Sequence, residues 1–389
     1  MDKLVNPRRR ASETPAIADL LKPYQCIALV LQGGGALGAY QAGVFEALSE
    51  AGIQPNWLSG VSIGGINAAI IAGNEPENQI ARLREFWETV SSRKIWRHTP
   101  DGDMFRSLRN QVSAYTTMSS GLPGFFEPRR TSAWAALAGA EDATSFYDTS
   151  LLRETLNRLI DWDLLNSGTR RLSVGAVNVR TGNFRYFDNA IEPLSADHIM
   201  ASGALPPAFP AIKVDNEFYW DGGIVSNTPL QYLLELDQLE NSLVFQVDLF
   251  SARGEMPREM AEVLARQKDI TYSSRTRNST DTFRKLHCAT LHLRDALMRL
   301  DPEKMTDKDR EALDQMELVP QINILHLIYQ QKKYEGHAKD YEFSGTSMRE
   351  HWTAGLEDTR RTLKNRKWLE IPHEAVGMTV HDVHRDDPN

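Results

Sequence analysis

Residues 26–72 repeat one local pattern twice: an apolar run, a glycine-rich turn, then a helix. Cys26 to Gln32 is short, mostly apolar and partly β-branched, which predicts a buried parallel strand. The turn Gly33-Gly34-Gly35-Ala36-Leu37-Gly38 follows, then a helix to about Ala51 that Gly52 is placed to end. Trp57 to Val61 predicts a second strand, Gly60-Val61-Ser62-Ile63-Gly64 a second turn, and Ile63 to Ala72 a second helix stopped by Gly73-Asn74. Two βα units in tandem bring two helix N-termini to the same edge of one sheet.

Helix N-termini carry unpaired N–H groups and partial positive charge. The second turn has the form G-x-S-x-G, a nucleophile elbow in which close-packed glycines, Gly60 and Gly64, leave the Ser62 hydroxyl exposed. The first turn offers the N–H groups of Gly33, Gly34 and Gly35 to an oxyanion, each such donor being worth roughly 3 kcal/mol in a transition state. Gly33-x-Gly35-x-x-Gly38 also fits a dinucleotide fingerprint, but that reading wants a carboxylate about twenty residues on. Trp57 to Val61 supplies none. A lone G-x-S-x-G is often only a turn; the strand and helix flanking both turns favour catalysis. A third piece, Asp221-Gly222-Gly223, follows the apolar Phe218-Tyr219-Trp220. By itself Asp-Gly is an ordinary turn signal.

Taken in order, these blocks resemble the patatin-like phospholipase family, with its G-G-G-x-x-G loop, G-x-S-x-G elbow and downstream D-G-[GA]. The run Ala201-Ser202-Gly203-Ala204-Leu205-Pro206-Pro207-Ala208-Phe209-Pro210 is similar to that family's A-S-x-A-x-P-x-F-P segment. The resemblance implies an α/β fold, a three-layer α/β/α sandwich with a mainly parallel central sheet. It implies a Ser-Asp dyad in which Asp221 takes the proton of Ser62 directly, an oxyanion hole at Gly33, Gly34 and Gly35, and supporting roles for Gly38, Gly60, Gly64, Gly222 and Gly223. It implies no metal or organic cofactor and an acyl-lipid substrate, a phospholipid or lysophospholipid. Burial of Asp221 beside Trp220 would raise its proton affinity, which suits a base. One departure is Leu37, where many members carry Arg or Lys. A hole made of backbone N–H groups survives that change, but a cation for a phosphate head group does not. Three alternatives stay open. One is a Ser-His-Asp esterase using His287, His292 or His326, with His198 also close to the Ala201–Pro210 block. The others are a polyester or hydroxyalkanoate esterase and a non-catalytic lipid-binding protein on the same fold.

The 389 residues carry a formal net charge of -8, which disfavours nucleic acid or anionic lipid as a partner of the whole surface. Two cysteines, Cys26 and Cys288, argue against a disulfide framework. Arg8-Arg9-Arg10 has no apolar core after it, unlike a signal peptide, and no apolar run reaches bilayer-spanning length. The expectation is a cytoplasmic protein, at most peripheral at the inner membrane face. Residues 1–24 read as a polar tail and 25–250 as the catalytic domain. Within it, 91–142 is a Gly-, Pro- and aromatic-rich insert that includes Trp96, Phe125 and Phe126, and a candidate cap over the serine. Residues 251–369 read as a mostly helical extension on the same domain, with a strand at Gln321 to Tyr329 and a last helix capped by Ser344 or Thr346. Residues 370–389 read as a disordered tail, with His381 and His384 more in keeping with a solvated segment than a metal site.

Overall fold

The computed structural model describes residues 15–91, 103–235, 240–316, 319–332 and 334–382. The start of the N-terminal tail, Trp96 and His384 lie outside the described residues. A short helix α1 (Ile17–Leu21) leads into strand β1 (Cys26–Leu31), which pairs in parallel with β2 (Trp57–Val61), Leu31 opposite Gly60. Helices α2 (Ala39–Glu50) and α3 (Ile63–Ala72) follow the two glycine turns, and Gly52, at φ +73°, ends α2. Alternate residues of β1 go to opposite faces. Leu29 and Leu31 enter the larger core with α2 and α3, while Ala28 and Val30 join a second cluster.

Helix α4 (Pro76–Val90) buries Leu83, Phe86, Trp87 and Val90 in the larger core. The 91–142 segment is less irregular than its composition suggests, because α5 spans Asp103–Ser120. A small hairpin, β3 (Glu127–Pro128) with β4 (Tyr147–Asp148), closes that segment. Next come α6 (Ser150–Leu159), α7 (Trp162–Asn166), β5 (Arg171–Asn178), β6 (Phe184–Asp188), α8 (Ala196–Ser202), β7 (Ile212–Val214) and β8 (Glu217–Asp221). Thr149 takes the N-cap position of α6, and the Asp148 side chain accepts the Ser150 N–H at 2.7 Å. Helix α9 (Leu230–Leu234) and strand β9 (Ser242–Asp248) follow. Long helix α10 (Met260–Leu297), α11 (Asp307–Gln315), β10 (Ile322–Ile328), α12 (Gly345–Lys364) and β11 (Met378–Asp382) end the described chain.

The large sheet runs β11-β10-β9-β1-β2-β5-β8-β7, with β6 also on β5. From β11 to β5 every pairing is parallel; β6 and β8 run antiparallel to β5. Leu230, Leu233 and Leu234 of α9 and Phe283 of α10 pack on one face of the sheet. Residues of α2, α3, α4 and α12 pack on the other, so the protein is a three-layer α/β/α structure with a mainly parallel sheet. The C-terminal extension is not only helical, because it adds β10 and β11 to the sheet. The expected disordered tail is corrected by β11, whose Met378 is buried against β10. Ser344 caps α12, accepting the Ser347 N–H at 3.3 Å.

Candidate active site

Strand β5 has three partners on two edges. β6 overlaps β2 along residues 173–175 of β5 and overlaps β8 along residues 176–177. Hence β2 and β8 share the same edge. β2 climbs it in parallel and stops with Val61 opposite Gly175; β8 descends it antiparallel and stops with Asp221 opposite Ala176. The C-terminal ends of two strands distant in sequence therefore meet head to head, and the residue after Val61 is Ser62.

Ser62 leaves β2 at φ 56° and ψ −128°, a backbone region that a side-chain-bearing residue rarely adopts, and caps α3. Its N–H donates to the carbonyl and to the hydroxyl of Ser202, both at 3.1 Å, and the Ser202 hydroxyl donates to the Gly175 carbonyl at 2.7 Å. Gly60 and Gly64 touch backbone to backbone, leaving no room for a Cβ on Gly60. Asp221 is 2% exposed. Its carboxylate accepts the Gly223 N–H at 2.7 Å, and the Ser62 side chain lies near enough to favour its charged form. Burial pushes the carboxyl up from its ordinary 3.8 to about 6, the neighbouring Ser62 side chain and the Gly223 N–H offsetting part of that rise. Gly222 packs against the Gly175 carbonyl and Val61, and Gly38 against Ile63 and Trp87.

The glycine turn lies against the elbow, a Cβ on Gly33 reaching within 3.0 Å of the Ser62 Cβ. Gly33 itself is not an available donor. Its N–H donates to the Asn227 carbonyl at 3.2 Å, and its own carbonyl accepts the Asn227 side-chain amide at 2.9 Å. Ala36 and Leu37 also spend their N–H groups, on the carbonyls of Asp340 and Gly34. Gly34 and Gly35 make no hydrogen bond through N–H among the described residues. Gly35 sits at φ +56°, and a side chain there would strike the Asp340 carbonyl.

Three anchors carried no sequence signal of their own: Ser202, inside the Ala201–Pro210 block; Asn227; and Gln32. The fully buried Gln32 accepts the N–H groups of Leu249 and Phe250 and donates to Thr228 and to the Tyr272 carbonyl. They hold the site through backbone contacts that only folding creates. No histidine among the described residues hydrogen-bonds Ser62. His326 pairs with Asp248 at 2.6 Å, His198 turns its Nδ1 onto Ser195, and His287 stacks on Phe283. Burial lowers the proton affinity of His198 and His287. Phe125 and Phe126 belong to a buried aromatic cluster with Phe209, which also includes Phe86, Tyr147 and Phe343.

An α/β sheet with a strained serine elbow, a buried aspartate at the facing strand end and a glycine turn between them defines a recognisable class. The patatin-like phospholipase family model matches residues 29–234, more than half of the chain, and a second model described as patatin phospholipase matches residues 270–375. The chain belongs to the patatin-like phospholipase family. It is 26% identical over 226 residues to patatin-like phospholipase domain-containing protein 7 of Rattus norvegicus, covering 57% of this chain and 14% of that protein. It is 26% identical over 242 residues to lysophospholipase NTE1 of Saccharomyces cerevisiae, covering 62% of this chain and 12% of that one. With the cGAMP-activated phospholipase of Pseudomonas aeruginosa it shares 24% identity over 214 residues, 52% of this chain and 53% of the other. The chain thus spans only a small part of the first two relatives.

Proposed function

We propose that the protein is a lipid acyl hydrolase that cleaves carboxylic esters of phospholipids or lysophospholipids through a Ser62–Asp221 dyad. The observation that carries this reading is the meeting of the β2 and β8 ends on one edge of β5, which sets Ser62 beside the buried Asp221 carboxylate. Ser62 Oγ attacks the ester carbonyl carbon as its proton passes to Asp221. The carbonyl oxygen becomes an oxyanion that the N–H groups of Gly34 and Gly35 receive. The tetrahedral centre collapses, the carbon–oxygen bond breaks, and Asp221 returns the proton to the leaving alkoxide. Water then attacks the acyl-serine and gives a proton to Asp221. The fatty acid departs, and Ser62 recovers its hydrogen. Relatives named phospholipase and lysophospholipase support the substrate class. Leu37 leaves the turn without a cation for a phosphate, which favours recognition of the acyl chain over the head group.

The proposal extends to peripheral contact with lipid. Along α5, Phe105, Leu108, Val112 and Tyr115 form one exposed apolar stripe, and Trp134 in the same insert is 90% exposed. Among the described residues no helix is long and apolar enough to cross a membrane. Leu108→Glu with Tyr115→Glu should lower binding to phosphatidylcholine vesicles while hydrolysis of a soluble ester stays unchanged; equal vesicle binding would remove α5 from the interface.

The test of the chemistry is a hydrolysis panel of phospholipids, lysophospholipids, p-nitrophenyl esters and hydroxybutyrate oligomers. Ser62→Ala and Asp221→Asn should both fall close to background on every substrate the wild type cleaves, because the two residues act as one unit. Activity confined to hydroxybutyrate oligomers would redirect the substrate to a polyester. A folded His198, His287 or His326 alanine variant as inactive as Ser62→Ala, with Asp221→Asn active, would make the enzyme a triad esterase.

A further inference from the structure

The glycine turn is held from outside the segment that carries Ser62 and Asp221. Two adjacent residues of α10, Lys268 and Asp269, face two adjacent residues of the loop before α12, Lys339 and Asp340, and the four pair crosswise. Lys268 Nζ lies 2.8 and 3.0 Å from the two carboxylate oxygens of Asp340 and donates to the His337 carbonyl at 3.0 Å. Lys339 Nζ lies 2.6 Å from Asp269 Oδ1 and donates to Gln331 Oε1 at 2.8 Å. The Lys339 side chain is 2% exposed and its Asp269 partner 11%, so water does little to screen that pair. Lys268 also sits over the Tyr341 ring and Lys339 over the Phe250 ring.

This crossed pair touches the turn at two places. The Asp340 carbonyl accepts the Ala36 N–H at 2.9 Å and closes over the bare α-carbon of Gly35. On the other side, Leu249 and Phe250 close over Gly34, and Gln32 ties their N–H groups to the Tyr272 carbonyl of α10. Gly34 and Gly35, the two residues with uncommitted N–H groups, are thus gripped between walls that both lead back to one helix. An oxyanion donor acts through preorganisation, and its aim is lost when the backbone that carries it drifts.

We propose that the crossed pairs Lys268–Asp340 and Asp269–Lys339 set the aim of the Gly34 and Gly35 N–H groups, making Lys268 and Asp340 positioning residues for acyl transfer. The inference rests on the reading of this turn as the oxyanion cradle. It makes the C-terminal part of the chain a component of the catalytic apparatus.

The measurement is steady-state kinetics on one soluble ester, with thermal melting and amide exchange of the peptide spanning Gly33 to Tyr40. In Lys268→Met, kcat should fall about 30-fold, less than the loss of a whole oxyanion donor. KM should stay within about 2-fold, because ground-state binding is untouched. Lys268→Arg, which keeps the charge, should recover most of the loss. The paired variant Lys268→Met/Asp340→Leu leaves no buried charge without a partner, so it should melt near wild type while kcat stays low and the turn exchanges faster. A stable paired variant with wild-type kcat would overturn the proposal. Should the paired variant fail to fold, Asp340→Glu decides. It keeps the charge but shifts the carboxylate by one methylene, and wild-type kcat in that variant overturns the clamp. Ser62→Ala is the control that separates the two readings. If it is inactive while the clamp variants turn over normally, only the clamp fails; if it stays active, the nucleophile assignment itself fails.

Discussion

Asp221 is asked to do two things that oppose each other. A carboxylate is more comfortable in water, yet here it is buried to face Ser62, and the displacement from 3.8 to about 6 measures that discomfort. Two consequences follow with definite sign. In the proposed dyad Asp221 acts as a base only when deprotonated, so kcat/KM should climb as pH rises through about 6 and then level off. For stability the raised value favours the folded state only while the group is protonated. That contribution is whole below the unfolded carboxyl's titration, near pH 3.9, and is lost as pH rises through about 6, a total of about 3 kcal/mol. Asp221→Asn should therefore melt higher than wild type at pH 8, with the gap closing by pH 4.5, even if it loses activity as proposed. Equal melting temperatures at both pH values would mean that the carboxylate is not strained by burial. The two positions were marked in the sequence only by the ordered blocks of the family resemblance, since Asp221-Gly222 by itself is an ordinary turn; what the fold adds is that Val61 and Asp221 end facing strands. The participants of the glycine turn were less legible: three consecutive glycines look alike in sequence, and only the fold commits the N–H of Gly33 to Asn227.

Elements were legible where hydrophobic periodicity and stop signals agreed. The predicted Ile63 to Ala72 helix matches α3, whose boundaries are set by the elbow and by Gly73. The insert was misjudged because its Gly, Pro and aromatic content drew attention from the spacing of Phe105, Leu108, Val112 and Tyr115, which traces one face of α5. Its aromatic residues divide into two populations. Those of α5 face solvent, whereas Phe125 and Phe126, 8% and 6% exposed, pack with Phe209 as core. Replacing Phe125 with alanine should cost about 3 to 5 kcal/mol of stability, as for other buried aromatics. Chemical denaturation would measure it; a loss below about 1 kcal/mol would instead leave Phe125 as part of an adaptable cap over Ser62.

For the whole molecule, the sheet is assembled from both ends of the chain. The motif-bearing half supplies β1, β2 and β5 to β9, and the extension supplies β10 and β11 on the flank of β9. That contribution was half visible. The apolar run at Ile322–Ile328 reads as a strand, but β11 (Met378–Asp382) is short and polar and gains its order from the backbone ladder with β10. Truncation after Glu370 would strip that ladder and bare one side of β10, an apolar strand with unpaired N–H and C=O groups. The truncated protein should melt lower and form concentration-dependent aggregates, read by light scattering, while the intact chain stays monodisperse under the same conditions. Unchanged melting and scattering would reduce β11 to an ornament.

Because β2 and β8 approach β5 from opposite directions, the proposed Ser62–Asp221 chemistry depends on where two strands stop and not on how long the chain between them is. Residues inserted in the turn around Thr181-Gly182-Asn183, or between β6 and α8, lengthen a detour that begins and ends on the same scaffold. A single residue added between β7 and β8 is another matter: it slides β8 by one step, and a strand that slides by one step turns its side chains over. Asp221 would then look away from Ser62 while most of the fold stayed intact. In this chain the outer loops can therefore lengthen without moving Ser62 or Asp221, whereas the tight turn of Asp215, a residue held at φ 56°, fixes the spacing that places Asp221.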